Sequence, residues 1–234
     1  RVLVYTTAFR PFIGGSEIAL EENIRHLPSI FFEIFTPRFR RKLSPKEHSG
    51  NFRLHRIGLG FSGDKYLFPA TGFLGSLGVL KKTKIIHSYQ ASFGGMAAFM
   101  AKLFFPDKKL IVTLQEGKDL GKQYLLKRIV RNLILKKADV ITAISSYLAD
   151  YAQMISPRAQ VIQIPNGVDL NKFILDGPHD PKTLITTGRL VKKNGTNDLI
   201  AAVALVKKRI PDIKLLILAD GEQKEELKSQ AAFL

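Results

Sequence analysis

Short β-rich apolar runs recur along this chain, each followed by a loop and a segment of helical period, and that alternation leaves few folds open. Residues 2–7 read as a buried strand, residues 12–17 as a loop carrying Gly14 and Gly15, and residues 18–27 as the helix that follows. Residues 30–36 and 52–57 are further strands joined by a basic loop over 37–50, and short strands follow over 84–88, 109–114, 139–144 and 160–164. Parallel strands need crossover connections about the length of a helix, so the pattern implies an α/β fold with a doubly wound parallel sheet. The Pro/Gly/Asp cluster from Asp176 to Pro181 marks a linker, read over 174–181, between a first domain over 1–173 and a second over 182–234. In the second, strands over 182–187 and 213–219 alternate with helices over 196–208 and from 222 onward. Two such units are fewer than a free-standing doubly wound sheet uses, so this segment reads as the opening part of a domain.

Composition narrows the function classes. With 45% hydrophobic residues the 234-residue chain is too apolar for disorder, and without cysteine it has no thiol nucleophile, no disulfide and no Cys-ligated zinc. That fits a cytoplasmic protein. The longest apolar stretch, residues 94–105, is short and broken by Lys102, so no membrane span is expected, and residues 2–5 are too brief for the apolar core of a signal peptide. The formal charge of +16 is uneven: residues 1–173 hold 26 basic and 12 acidic residues, whereas residues 174–234 hold 10 and 8. Such a field favours anionic partners, whether nucleic acid, an acidic membrane or a phosphorylated substrate.

The loops at strand ends are where chemistry is expected. Gly14-Gly15-Ser16 lies between a strand and a helix, where backbone N–H groups and a positive helix end can meet a phosphate; the plainer reading is a tight turn with Ser16 as N-cap. Gly188, Arg189, Lys192, Lys193 and Gly195 form a second strand-to-helix loop whose cations suit a diphosphate, although a solvated basic turn has the same composition. His87 near a strand end is either a ligand-contacting group or a histidine bonded to its own fold.

A third segment supplies context: Ile164-Pro165-Asn166-Gly167-Val168-Asp169, a strand ending in a turn with Asp169 as a cap. Together with Thr187-Gly188-Arg189-Leu190-Val191, Leu199-Ile200-Ala201-Ala202, Phe12-Ile13-Gly14-Gly15-Ser16-Glu17, residues 138–145 and Leu216-Ile217-Leu218-Ala219-Asp220-Gly221, it resembles the family 4 retaining glycosyltransferases of GT-B architecture. The resemblance implies two Rossmann-like sheets, the second incomplete, and metal-independent transfer of a sugar from a nucleotide-diphosphate donor with retention. No cofactor is implied beyond the donor itself. Arg189 and Lys193, with Gly188 and Asn166, are implied to hold the donor, and Gly14 and Gly15 to face its phosphates. The acceptor, a carbohydrate, lipid-linked or other molecule, falls to the first domain with His87.

Three departures bear on activity. Asn194 stands where the family has a lysine, Gln115 stands where it has a histidine, and its paired glutamates spaced eight apart have no counterpart before Leu234. Gln115 and Glu116 are therefore the catalytic candidates present, and the chain alone is expected to be a weak catalyst. Glu116 and Asp119 have a second reading as helix caps, preferred for Asp119. The helix read over 120–137, which mixes Tyr124, Leu125, Ile129 and Leu133 with six basic residues, and the loop Arg38-Phe39-Arg40-Arg41-Lys42 together suggest peripheral contact with anionic lipid, against the plainer reading of lysines snorkelling into water. A non-catalytic basic α/β module binding nucleic acid or an anionic membrane accounts for the charge as well, but no helix-turn-helix or RNP strand is present to favour nucleic acid.

Overall fold

A computed structural model describes residues 1–115, 120, 124–173, 177 and 180–233. The chain forms two compact units, Arg1–Val168 and Asp169–Leu234. The division falls ahead of the Asp176 to Pro181 cluster, much of which lies outside the described residues.

Unit 1 runs β1 (Val2–Thr6), α1 (Gly15–His26), β2 (Phe32–Pro37), β3 (Lys46–Ser49), β4 (Phe52–Ile57), α2 (Asp64–Gly75), α3 (Leu77–Leu80), β5 (Ile85–Tyr89), α4 (Phe93–Phe104), β6 (Lys109–Leu114), α5 (Leu125–Lys137), β7 (Val140–Ala143), α6 (Ser146–Ile155) and β8 (Gln160–Gln163). The strands lie in the order β3-β4-β2-β1-β5-β6-β7-β8. All pairs are parallel except β3 with β4. The residues expected to be a basic loop over 37–50 therefore contain an antiparallel edge strand. Its sequence, Lys-Glu-His-Ser, has no apolar face to betray it, and it is held by pairing with β4 and by the Glu47–Arg56 ion pair at 2.7 Å.

Alternation along the strands divides the core. Leu3, Tyr5, Ile86, Leu110, Val112 and Ile141 pack with Phe68, Ala97, Ile134 and Leu148 from α2, α4, α5 and α6. Val2, Val4, Ile34 and Leu54 turn the other way, onto Leu20 and Ile24 of α1. Period-two side chains on parallel strands thus receive helices on both faces, as in a doubly wound sheet. The sheet changes direction at β1, flanked by β2 and β5, so the ends of β1 and β5 bound the crevice where such folds take ligands.

Unit 2 contains β9 (Thr183–Arg189), α7 (Thr196–Lys207), β10 (Lys214–Asp220) and α8 (Lys224–Phe233). Its two strands are parallel, and one face packs Leu190, Ile200 and Leu227 with Leu215, Ile217 and Ala219. No helix among the described residues is long and apolar enough to cross a membrane.

Candidate functional site

In unit 1 Gly14, Gly15, Gln115 and Asn166 lie past the C-terminal ends of the strands, whereas His87, expected near a strand end, does not. Gly14, in extended conformation, is the N-cap of α1 and provides no side-chain cap, so Ser16 is not the N-cap expected from sequence. Ser16 sits in the first helical turn, where its hydroxyl accepts a hydrogen bond from Gln90 Nε2 at 3.1 Å. The Glu17 carboxylate folds back against Gly14 and fills the space a Cβ there would take, whereas a Cβ on Gly15 would meet nothing within 4 Å. Gly15 is thus bare for a reason internal packing does not provide, and it lies at the positive end of a 12-residue helix.

Sequence reading missed the opposite wall of this crevice. Gln90 follows β5 with a φ of 69°, a left-handed conformation that costs a residue with a side chain about a kcal/mol or more. Beside it, Thr7 and Ser92 share a hydroxyl hydrogen bond at 2.8 Å, and Gly94 N–H donates to Thr7 Oγ1 at 3.2 Å. Gly94 lies in the first turn of α4 as Gly15 lies in that of α1, but its Cβ would press on the Thr6 backbone at 3.0 Å. Of these two first-turn glycines, then, Gly94 serves packing and Gly15 leaves room. The available signal for Gln90 and Ser92 was their place just after a strand next to the reversal of strand order. Adjacent to the Gly14–Gly15 turn lies a cleft of about 570 Å³ whose walls include Arg10, Phe12, Glu17, Glu21, Lys42 and Arg56. Arg10 Nε donates to Glu21 at 2.9 Å, which holds the Glu21 carboxyl below its usual pKa.

Gln115 and Asn166, far apart in sequence, are brought together. Gln115 Nε2 donates to Asn166 Oδ1 at 3.0 Å and Asn166 Nδ2 returns a bond to Gln115 Oε1 at 3.3 Å, joining the end of β6 to the turn after β8. Asp169 caps the short turn Leu170–Lys172 by accepting from Asn171 N–H, as expected. Glu116 and Asp119 lie outside the described residues, and the helix read from residue 120 begins at Leu125. His87 lies in the middle of β5, paired in register with Val4 and Ile111. Its Nε2 is 2.7 Å from Thr113 Oγ1, which is 2.7 Å from Thr142 Oγ1, so a polar chain crosses three strands. Desolvation lowers the His87 pKa to about 4, which keeps the ring neutral at physiological pH.

In unit 2, Gly188 and Arg189 end β9 and Lys193 lies in the 3-10 turn Lys192–Asn194 that precedes α7. Asn194, the departure from the family lysine, donates its side-chain amide to the Arg189 carbonyl at 2.7 Å and so closes the loop. Leu190 N–H donates to the Asp220 carbonyl at 2.9 Å, and the Leu190 carbonyl accepts from Gln223 N–H at 3.1 Å. A Cβ on Gly221 would sit 2.5 Å from that carbonyl, so only glycine lets the two loops close together. Arg189 is exposed, with no ion-pair partner among the described residues. Its neighbour across the sheet, Asp220, is committed to Gly221 N–H at 3.0 Å and to Lys224 at 3.4 Å, which together lower its pKa. The result is a fixed backbone presenting uncompensated cations beside a helix N-terminus, a combination suited to phosphate oxygens.

Known proteins resemble this chain in sequence and in fold. The chain is 25% identical over 256 residues to the GDP-mannose-dependent alpha-(1-6)-phosphatidylinositol monomannoside mannosyltransferase of Mycolicibacterium smegmatis, covering 100% of this chain and 64% of that protein. It is 36% identical over 95 residues to a phosphatidyl-myo-inositol mannosyltransferase of the same organism, covering 38% of this chain and 24% of the relative. Among solved structures, sucrose-phosphate synthase from Thermosynechococcus elongatus shares the fold with a TM-score of 0.72 at 17% identity, covering 99% of this chain and 66% of that one. Anabaena HepE in complex with UDP does so with a TM-score of 0.70 at 14% identity, covering 100% and 66%. The chain thus spans a little under two thirds of the length of the full-coverage mannosyltransferase relative. Residues 13–172 match the model of Glycosyltransferase Family 4 and residues 168–234 that of Glycosyl transferases group 1. With strand-end loops of this geometry and a family match across most of its length, the chain belongs to glycosyltransferase family 4.

Proposed function

We propose that the protein transfers a sugar, with retention and without a metal, from a nucleotide-diphosphate donor to a lipid-borne acceptor. The observation that carries the reading is the Gly188–Gly195 loop, where the exposed Arg189 projects from a backbone fixed by Asn194, Asp220 and Gln223. Breaking a glycosyl–phosphate bond builds negative charge on the departing phosphate oxygen, and preorganised cations stabilise it without reorganising as it forms. Arg189 and Lys193 take that role, with Gly188 giving the backbone its approach. The Gly14–Gly15 turn offers N–H groups to phosphate oxygens. Gln115 and Asn166, amides that both donate and accept, suit sugar hydroxyls, and Glu116 remains a candidate for orienting them. On the acceptor side, His87 acts as a neutral group that orients Thr113.

The full-coverage mannosyltransferase relative supports GDP-mannose as the first donor to test and a phosphatidylinositol glycolipid as the first acceptor. Isothermal titration with GDP-mannose, and with UDP sugars for comparison, tests the donor site. Arg189→Ala is expected to weaken donor binding by about 10- to 100-fold, the worth of a charge-assisted hydrogen bond or two, while leaving the melting temperature unchanged. Equal affinity in the variant and the parent removes the basis of the proposal. Transfer that persists in EDTA supports metal independence, and the anomeric configuration of the product reports retention.

A further inference from the structure

We infer that the cleft beside the Gly14–Gly15 turn binds a neutral sugar unit, other than the one that reacts. The inference goes beyond the donor site proposed above: every residue lining the cleft belongs to unit 1, so it needs no part of the Arg189 loop. Its walls are the loop after β1, one face of α1 and the segment that runs into β3, with Arg56 of β4 behind. Glu17, Ile18 and Glu21 share that face of α1 because they stand three and four residues apart, while Leu20 and Ile24 turn towards the sheet. At about 570 Å³ the cleft falls within the range of small-molecule pockets, about 300–1,000 Å³.

Charge selects the ligand. Residues 1–173 hold 26 basic and 12 acidic residues, yet the cleft is lined by Arg10, Lys42 and Arg56 against Glu17, Glu21 and Glu47, which cancel. An anion gains nothing there over the open basic surface of the same unit, whereas a neutral molecule rich in hydroxyls finds acceptors already in place. Arg10 Nε donates to Glu21 at 2.9 Å, and Arg56 donates to Glu47 at 2.7 Å and to the Ser44 and Arg10 carbonyls at 2.9 and 2.8 Å. The buried Arg56 thereby ties the loop after β1 to the segment ahead of β3 and fixes both walls. The Glu21 and Glu47 side chains remain 30% and 38% exposed, so each keeps lone pairs for a hydroxyl donor. Glu17 has no hydrogen bond or ion pair among the described residues and offers a further carboxylate. Between these acceptors stand Ile13 and Ile18, 86% and 52% exposed, aliphatic side chains that neither core of unit 1 uses. A pyranose divides its surface in the same way, with hydroxyls around the rim that seek fixed acceptors and C–H faces that rest on apolar side chains.

The test is amide chemical-shift mapping by NMR on the 234-residue chain, titrated with methyl α-mannopyranoside, methyl α-glucopyranoside and myo-inositol, and with mannose 6-phosphate as the anionic comparison. A neutral probe is expected to move amides within residues 12–18 and 42–47 saturably, with an affinity that salt leaves unchanged, and mannose 6-phosphate to bind there no more tightly. Glu17→Ala is expected to weaken the neutral probe by about fivefold, the worth of one hydrogen bond, and Ile13→Ser to weaken it as well. Both variants should keep the parent's melting temperature, since neither side chain belongs to a core. Four results overturn the inference: no neutral probe that moves these amides, shifts centred instead on Gln90 and Ser92, a salt-sensitive preference for mannose 6-phosphate, or both variants binding like the parent. Arg189→Ala is expected to retain the cleft shifts, so failure of the donor site and failure of this cleft are read separately.

Discussion

Unit 1 and unit 2 are written in the same strand, loop and helix pattern, yet they are supported very differently. In unit 1 both faces of the sheet are covered, and Leu3, Val4, Ile34, Leu54, Ile86, Leu110 and Val112 are fully buried. In unit 2 the described residues cover only one face of the two-stranded sheet, and Ile185, Leu216 and Leu218 are exposed. The β10 sequence Lys-Leu-Leu-Ile-Leu-Ala-Asp has the continuous apolar run of a strand buried on both faces, but alternate residues meet water. Pattern therefore specifies the element, while its stability depends on neighbours that the pattern does not count.

The strongest way to break that contrast is to separate the units. Residues 1–168 expressed alone are expected to melt in one cooperative transition by circular dichroism, and residues 169–234 alone to show none, since a two-stranded sheet with so small a core is marginal. Cooperative melting of the smaller piece would show that one covered face suffices. Next in size is a pair of substitutions in unit 1. Gly94→Ala should cost about 1–3 kcal/mol by pushing α4 off the Thr6 backbone, whereas Gly15→Ala, with open space around it, should stay within about 0.5 kcal/mol and instead weaken donor binding. Equal losses in urea denaturation would erase the distinction drawn between the two glycines.

A pH titration sharpens the same contrast, because the shifted histidine belongs to unit 1. His87 has a folded pKa of about 4, below its ordinary 6.5, so between those values the unfolded chain binds more protons than the folded one. Its contribution is complete above pH 6.5 and is lost as pH falls towards 4. The stability difference between the parent and His87→Gln should shrink across that window by about 1–3 kcal/mol. A constant difference would mean that burial does not desolvate the ring enough to shift its titration. A smaller loss than that of Gly94→Ala is expected in unit 2, where Asn194→Ala should cost about 0.5–1.5 kcal/mol in stability while loosening the loop enough to weaken donor binding.

Much of the fold was legible because parallel strands buried on both faces advertise themselves as short apolar runs separated by helical period. The antiparallel β3 was not, since its four polar residues depend on β4 and on Arg56 for their conformation. The site divided in the same way. Glycines and Arg189 at strand-to-helix turns could be read from spacing, but the Gln115–Asn166 pairing joins residues 51 apart and arises only when β6, β7 and β8 lie side by side. Gln90 escaped because nothing in a glutamine's identity announces a left-handed backbone. Ser16 looked like a cap because serine usually is one, while here the Gly14 backbone starts the helix and the Ser16 hydroxyl is held by Gln90.

The close fit of Leu190 against Gly221 has a further consequence. With its backbone already immobilised by the neighbouring strand end, Arg189 gives up only side-chain rotamers when an anion arrives, so little ordering entropy opposes association. If Arg189 serves as proposed, a stiff grip of this kind should distinguish anions by the spacing of their charges, and a diphosphate should bind more tightly than a monophosphate.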